Sequence, residues 1–427
     1  MHLLRFRGAL GALILTLVAG ALEAQVPLTP RALGMGGAYI GAARGYEALF
    51  LNPANLALAN NPRWSIAFPQ VTASGTILGP TFQDIPGLLT AIDDGTADAA
   101  ETFLAKIPAT GTEAQFDIRA PLATLQIGNV AVGVNYGSIG QHTIGKDIVE
   151  LFVEGYEEGR ADYAVGNTAG SRLTYWDVAL GYGKQAGPLS VGITGHYLRG
   201  GTAMQSRMYE PRVDLESQDI EVNYVSVLAR GGSGYAVDFG AALQPARTLT
   251  ISGSVSSAIS KLNWSEDLLV RDFVLDRSTI DTMGILNLAK AYSSTEEELD
   301  PTSASLRSLE TAEGLYEQAY LPAIANVGAN WQVFSWTNVG VGYRELLTTG
   351  RMAGRWDREI SVGIQQKLPL ITVRAGYASN FEEGTMVSGG LSLGPMQLGA
   401  AHLEDGIYEG APRTGWIGTF GLGIMAW

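Results

Sequence analysis

Val130-Ala131-Val132-Gly133-Val134-Asn135-Tyr136-Gly137 decides the fold. Valine and tyrosine occupy every second position, and alanine, glycine and asparagine fill the places between. A repeat of two is the period of a β-strand, whose successive side chains point to opposite faces. The same layout returns downstream. Trp176, Val178, Leu180 and Tyr182 alternate with Asp177, Ala179, Gly181 and Gly183, and Leu249, Ile251 and Val255 alternate with Thr250, Ser252, Ser254 and Ser256. In each block one face is apolar and the other is small or polar. Strands that repeat this asymmetry belong to a transmembrane β-barrel, which turns apolar side chains to lipid and polar ones to its lumen.

Fourteen candidate strands follow: 62–70, 115–127, 129–140, 172–186, 188–200, 233–245, 247–260, 320–333, 335–348, 355–367, 369–380, 384–394, 395–405 and 413–427. A slip of one hairpin would make them twelve or sixteen. Every even-numbered strand but the last is followed by a tight joint: Gly128-Asn129, Gly187-Pro188, Pro245-Ala246-Arg247, Ser335-Trp336, Leu368-Pro369 or Gly394-Pro395. Odd-numbered strands are followed by loops, long near 71–114, 141–171, 201–232 and 261–319 and short near 349–354, 381–383 and 406–412. Short periplasmic turns and long extracellular loops are the habit of bacterial outer-membrane barrels, and both termini fall on the short-turn side. Trp64, Trp176, Trp331, Trp336, Trp356 and Trp416 lie near strand ends, where amphipathic rings favour the membrane interface.

The flanks agree. Arg5 and Arg7 precede an apolar run from Gly8 to Gly20, and Ala24 offers a small residue for cleavage, so residues 1–24 read as a secretory signal peptide. No later stretch reaches the roughly 20 apolar residues of a spanning helix. Only 16% of the chain is charged, against about 25% in ordinary soluble domains. Without residues 1–24, 26 basic residues face 41 acidic ones, a net charge of -15 that argues against a nucleic-acid partner. The chain has no cysteine, which excludes disulfides and thiolate metal sites.

Residues 25–61 break the strand pattern. Arg31 to Tyr39 reads RALGMGGAY, and Asn52-Pro53-Ala54 follows. These motifs resemble the N-terminal segment of FadL-type barrels, a superfamily of hydrophobic-compound transporters that also includes the PorV-type barrels of a secretion system. The usual acidic pair before Asn-Pro-Ala is reduced here to Glu47. The resemblance implies a fourteen-stranded barrel (62–427) with a plug (25–61) inside it. It places a plug or gate motif at Arg31, Gly34, Gly36, Gly37, Asn52, Pro53 and Ala54. Glycine lets backbone pass close to the wall, Pro53 fixes a bend, and Asn52 is placed to cap the short helix after it.

Arg119, Asp177, Asp238, Arg344 and Arg374 share the phase of the small residues and are expected to face the lumen. A charge at mid-membrane on the lipid side costs about 2–4 kcal/mol. Salt bridges between plug and wall are the ordinary use for such charges, and an arginine that pairs a substrate carboxylate is the sharper one. In the loops, 84–107 and 281–318 carry apolar residues at helical spacing, interrupted by Glu296-Glu297-Glu298-Leu299-Asp300.

No catalytic motif, metal set or cofactor fingerprint is found. His142, His196 and His402 are scattered, a spacing that suits structural histidines. The expected function is passive uptake of hydrophobic small molecules, of the long-chain fatty acid or aromatic type, and not an enzyme activity. The alternative is a non-transporting barrel that serves as a protein-binding or secretion-associated platform through its extracellular loops. Outer-membrane lipid surrounds the barrel in either case. The terminal Trp427 resembles the signal read by barrel-insertion machinery, although Leu422, Ile424 and Ala426 carry the apolar phase and leave it out of register.

Overall fold

Each tight joint closes an antiparallel hairpin, and the hairpins close on themselves. The computed structural model describes residues 29–80, 97–153, 167–214, 219–264, 268–275, 297–298, 311–312, 321–348, 356–381, 384–408 and 411–427. The expected signal peptide lies outside the described residues, as do residues 84–96 and 281–318 apart from two short pieces.

Fourteen strands form the closed wall. They are β1 (Trp64–Leu78), β2 (Thr112–Ile127), β3 (Val130–Ile144), β4 (Ala169–Ala186), β5 (Leu189–Asp214), β7 (Gly232–Ala246) and β8 (Leu249–Trp264), then β11 (Ile324–Phe334), β12 (Thr337–Leu346), β13 (Arg358–Lys367), β14 (Ile371–Ser379), β15 (Gly384–Leu393), β16 (Met396–Tyr408) and β17 (Ala411–Ala426). Each pairs with the next, β5 joins β7, β8 joins β11, and β17 returns to β1. Closure leaves no strand edge at the level of the turns, so backbone groups there are satisfied in the ladder. Gly128, Gly187 and Gly394 take φ of 56°, 64° and 56° at three of the turns, a conformation that glycine enters without the cost of a Cβ.

The exposed apolar side chains form an outward band: Val132, Trp176, Val178, Leu180, Tyr182, Val191, Ile193, Val341 and Val362 are all exposed, while their sequence neighbours are buried or half-buried. Five of the six tryptophans placed at the interface are exposed on that band. The sixth, Trp356, is 5% exposed and packs beside Leu33, Met386, Leu403 and Ile417. It precedes β13 and covers the upper lumen instead of facing lipid. Trp427 lies beyond the end of β17 and is 69% exposed.

The described parts of two expected loops are mostly sheet. Residues 201–232 were expected as a loop, but β5 runs on to Asp214 and pairs with β6 (Asp219–Arg230). β6 in turn pairs with β9 (Leu268–Leu275), and β9 with β10 (Glu297–Glu298). The acidic run thus supplies a strand pair at 297–298. Beyond the membrane, strand pairing satisfies a long connection's backbone as water would. β1 likewise runs to Leu78, past the expected end at residue 70. Helices α3 (Ala97–Leu104) and α4 (Lys146–Val153) interrupt two other connections.

Candidate functional site in the lumen

Residues 29–61 cross the inside of the barrel. Thr29 caps α1 (Pro30–Gly34) by accepting a hydrogen bond from Ala32 N at 3.2 Å. Gly36 and Gly37, at φ of 67° and 92°, turn the chain out of that helix. A 3₁₀ turn (Gly45–Glu47), α2 (Ala48–Leu51) and a second 3₁₀ turn (Pro53–Ala57) follow. Almost every residue from Thr29 to Leu58 is buried.

The segment reaches all fourteen wall strands. Gly34 lies against Gly390, Gly36 against Gly376, Met35 against Gly363, Ala38 against Gly340, and Ile40 against Gly328. Gly41 meets Asn330, the ring of Tyr46 lies beside Gly423, and the carbonyl of Pro30 lies beside Gly399. Leu49 and Phe50 lie on Gly133, Leu56 on Gly183, and Pro53 on Gly192. Thr194 Oγ1 donates to Leu49 O at 3.1 Å, Ser65 Oγ accepts from Tyr46 N at 2.7 Å, and the first 3₁₀ turn contacts β2. The small inward phase of the strands is therefore the surface on which the segment rests. A Cβ added at Gly376 would sit 2.7 Å or less from Gly36, so this contact is backbone on backbone.

Asn52 ties the bend to the wall. Its Oδ1 accepts from Ala54 N at 3.0 Å, and its Nδ2 donates to the carbonyls of Ala241 (3.0 Å) and Gly253 (3.1 Å) on β7 and β8. Ser254 Oγ donates to Leu51 O at 2.8 Å. Asn55 Nδ2 donates back to Ile40 O at 2.7 Å, and Asn55 Oδ1 accepts from Ser252 Oγ at 2.9 Å.

Glu47, the one acid retained before Asn-Pro-Ala, has a completely buried side chain. Its Oε2 accepts from Tyr39 Oη at 2.9 Å and from Arg31 Nη1 at 3.4 Å. The neighbouring Tyr46 hydroxyl accepts from Gln397 Nε2 at 2.8 Å. A buried carboxylate is stable only when it is paired, and Arg31 supplies the opposite charge. The segment thus carries its own ion pair. Arg44 reaches the wall without a carboxylate, donating to Thr250 Oγ1, Asn60 Oδ1 and the carbonyls of Gly41 and Ala43 at 2.7–3.0 Å.

The five candidate lumen charges all lie on the inward face, but their partners are on the wall rather than on the segment. Arg119 pairs with Asp117 at 3.0 Å, and Arg344 with Glu359 at 3.8 Å. Arg374 donates to Gln365 Oε1 at 2.8 Å and to Ser392 Oγ at 2.7 Å. Asp177 and Asp238 hold His196 between them. His196 Nδ1 is 3.0 Å from Asp177 Oδ1, and its Nε2 is 3.1 Å from Asp238 Oδ2. Asn135 Nδ2 donates to Asp177 Oδ2 at 2.9 Å. The expectation of salt bridges between segment and wall is corrected here. Inward side chains on adjacent strands stand about 5 Å apart, so they meet without reaching into the lumen.

Asp238 does more than hold His196. Opposite it, β8 bulges, since Val237 pairs with Ile259 while Phe239 pairs with Val255. Ser257 sits in the bulge at φ 50°, and its N–H donates to Asp238 Oδ1 at 2.6 Å. A carboxylate that accepts a backbone N–H offsets the left-handed conformation that Ser257 adopts. Bulges that re-aim a wall are frequent next to functional sites.

Two cavities flank the segment. The one on the loop side has about 190 Å³. Its floor is Ile40, Phe50 and Leu51 of the segment, with Tyr175 and Leu321 above, and Arg119, Asp177, His196, Asp238 and Arg344 on its wall. The one on the turn side has about 930 Å³ and is lined by Arg31, Arg44, Arg247, Lys367, Arg374 and Trp427. Of the sequence candidates, four therefore share the loop-side chamber and Arg374 lies below the segment. His196 was read as a structural histidine, and nothing in its spacing marks a clamp. The only sequence signal was its inward companions, Asp177 and Asp238, each on a neighbouring strand.

No protein-family model matches the chain, and no curated protein matches it by sequence. Solved structures do match its shape. A FadL homologue from Pseudomonas aeruginosa aligns with a TM-score of 0.53 at 13% identity, over 95% of this chain and all of the other. The chain has the FadL-type fold. The P. putida toluene transporter TodX aligns at 0.51 and 10% identity, over 95% of this chain and 98% of its own. The Ralstonia pickettii toluene transporter TbuX aligns at 0.50 and 13% identity, over 93% and 98%. In this FadL-type barrel, a fold shared at such low identity rests on strand number, closure and turn placement rather than on particular side chains.

Proposed function

We propose that this chain is an outer-membrane barrel for passive uptake of hydrophobic small molecules, of the long-chain fatty acid or aromatic type. The signal peptide (1–24) directs export, the turns face the periplasm, and residues 25–61 act as the plug. Trp427 serves recognition by the insertion machinery. The observation that carries this reading is the loop-side chamber, whose floor is apolar plug side chains (Ile40, Phe50 and Leu51). A hydrophobic molecule entering from the loops ends on that floor, and burying its apolar surface there lowers the free energy by about 25 cal/mol per Å². A chamber with an apolar floor, open above the plug, supports transport over the alternative of a protein-binding platform. The transporters TbuX and TodX, similar in fold, support it further.

The plug occupies the lumen through contact with every strand, so passage requires it to shift or the wall to open. Deleting residues 25–61 is expected to leave a folded barrel and to raise the leakage of small solutes from liposomes. Unchanged leakage would refute the plug assignment. Mass spectrometry of small molecules that co-purify with the native protein, against an unrelated barrel, tests the cargo. Enrichment of a fatty or aromatic compound is expected, and enrichment of nothing but bulk lipid would overturn the uptake reading.

A further inference from the structure

The barrel wall forks on its outer surface. β5 pairs with β7 from Leu189 to Leu198, and from Thr202 onward it pairs with β6. Residues 199–201 and 231–233 lie at the fork. Gly231 turns there at φ 75°, and its N–H donates to Gly201 O at 2.9 Å. Trp264 backs the fork from inside, its ring against Gly200 and Gly232. The result is a groove of about 400 Å³ lined by Tyr197, Arg199, Gly231, Gly232, Ser233, Asn263 and Trp264.

The height of this groove follows from the strand. Outward on β5 stand Leu189, Val191, Ile193, Gly195, Tyr197 and then Arg199. At about 3.3 Å per residue and a tilt near 40°, Arg199 lies about 25 Å from the periplasmic turn, the thickness of the apolar band. Tyr197 pairs with Tyr235, and Tyr235 with Lys261, while Arg199 pairs with Trp176. All five of these side chains are exposed. Two strand spacings across and two residues along, Lys261 at the rim of the groove thus stands about 12 Å from Arg199, among aromatic residues at the outer lipid boundary. The whole chain carries a net charge of -14, yet among the described residues no carboxylate lines this groove.

We propose that this groove binds the phosphorylated headgroup of an outer-leaflet lipid. Arg199 and Lys261 pair with phosphate oxygens, Ser233 and Asn263 supply neutral hydrogen bonds, and Tyr197, Tyr235 and Trp176 pack against the upper acyl chains. Arginine is suited to phosphate because its planar fork donates two parallel hydrogen bonds. Glycines at 231 and 232 keep the floor low enough for a headgroup to enter between the strands. The inference rests on the outer-membrane orientation proposed above and not on transport.

The test is native mass spectrometry of the full mature protein in detergent, titrated with bis-phosphorylated lipid A and with its dephosphorylated form. Wild type is expected to retain the phosphorylated lipid at least tenfold better. The double variant Arg199→Gln/Lys261→Gln is expected to lose that preference and, since both side chains point outward, to keep the far-UV spectrum of the barrel. Lys184→Gln, an exposed cation near the periplasmic turn, is expected to change nothing. Equal retention of both lipids by wild type overturns the proposal, as does full preference in the double variant or an equal loss in Lys184→Gln. Loss of leakage control or cargo binding is a separate readout, so failure of the transport reading leaves this result unchanged.

Discussion

The lower and upper lumen are built by opposite means. Below, the N-terminal segment is seated by shape: glycine faces backbone at Gly34/Gly390 and Gly36/Gly376, and its hydrogen bonds to the wall go to neutral groups, including the one that Arg44 donates to Thr250. Its ion pair, Arg31–Glu47, is internal. Above, the wall charges pair with one another, across strands in Asp177–His196–Asp238 and Arg344–Glu359 and along β2 in Arg119–Asp117. The segment can therefore move without breaking a wall ion pair, and the wall can keep its charges without the segment. Under the proposed plug role this separation is an advantage, because a charged segment–wall pair would have to be broken in the low-dielectric lumen whenever the segment shifts.

The largest effect that would sharpen the contrast is expected at Glu47. Glu47→Gln leaves Arg31 without its opposite charge in a buried site, a loss of about 3–5 kcal/mol for such a pair. The segment should loosen, with faster proteolysis of residues 29–61 and leakage near that of the deletion, while barrel melting is little changed. Wild-type leakage would mean that neutral contacts alone hold the plug. His196→Gln is the counterpart in the upper lumen. It removes the hydrogen bond between His196 Nδ1 and buried Asp177, and a hydrogen bond to a charged group is worth about 1.5–3 kcal/mol. Thermal unfolding of the barrel should fall accordingly while leakage stays at the wild-type level. A leak in this variant would break the comparison, since it would couple clamp to plug.

The alternation of Trp176, Val178, Leu180 and Tyr182 with small residues was enough to find the wall, because lipid on one face and a crowded lumen on the other impose a period of two. The tight joints gave the strand count for the same reason: a hairpin of two residues leaves little freedom. Phase placed Arg119, Asp177, Asp238, Arg344 and Arg374 inward. Phase cannot tell which inward group meets which, since that depends on register between strands separated by loops. His196 and Asp177 are adjacent only after β4 and β5 pair Ala179 with His196. The extension of β5 and β6 above the membrane was missed because Met204, Arg207, Tyr209 and Arg212 carry no clean alternation outside the lipid. Trp356 was misplaced because closeness to a strand end does not say on which side of the wall a loop residue falls.

The smallest and cleanest test uses glycine alone. Gly376 faces inward, where an added Cβ would overlap the backbone of Met35 and Gly36. Gly418 lies on β17, and a Cβ there meets no atom within 4 Å. Gly376→Val should force the segment off its seat at a cost of about 1–3 kcal/mol, typical of overpacking where backbone must move. Gly418→Val should cost nothing in seating, and β-branching suits a strand facing lipid. The pair changes the same residue type in the same way on one barrel, so the intrinsic strand preference of valine over glycine cancels between them. If leakage rises in Gly376→Val alone, close backbone contact is what seats the plug. If both variants leak alike, the wall as a whole has weakened and the shape argument fails. If neither leaks, the segment has enough play to step aside by the width of a side chain, and its hold on the lumen rests on Asn52 and Glu47 instead.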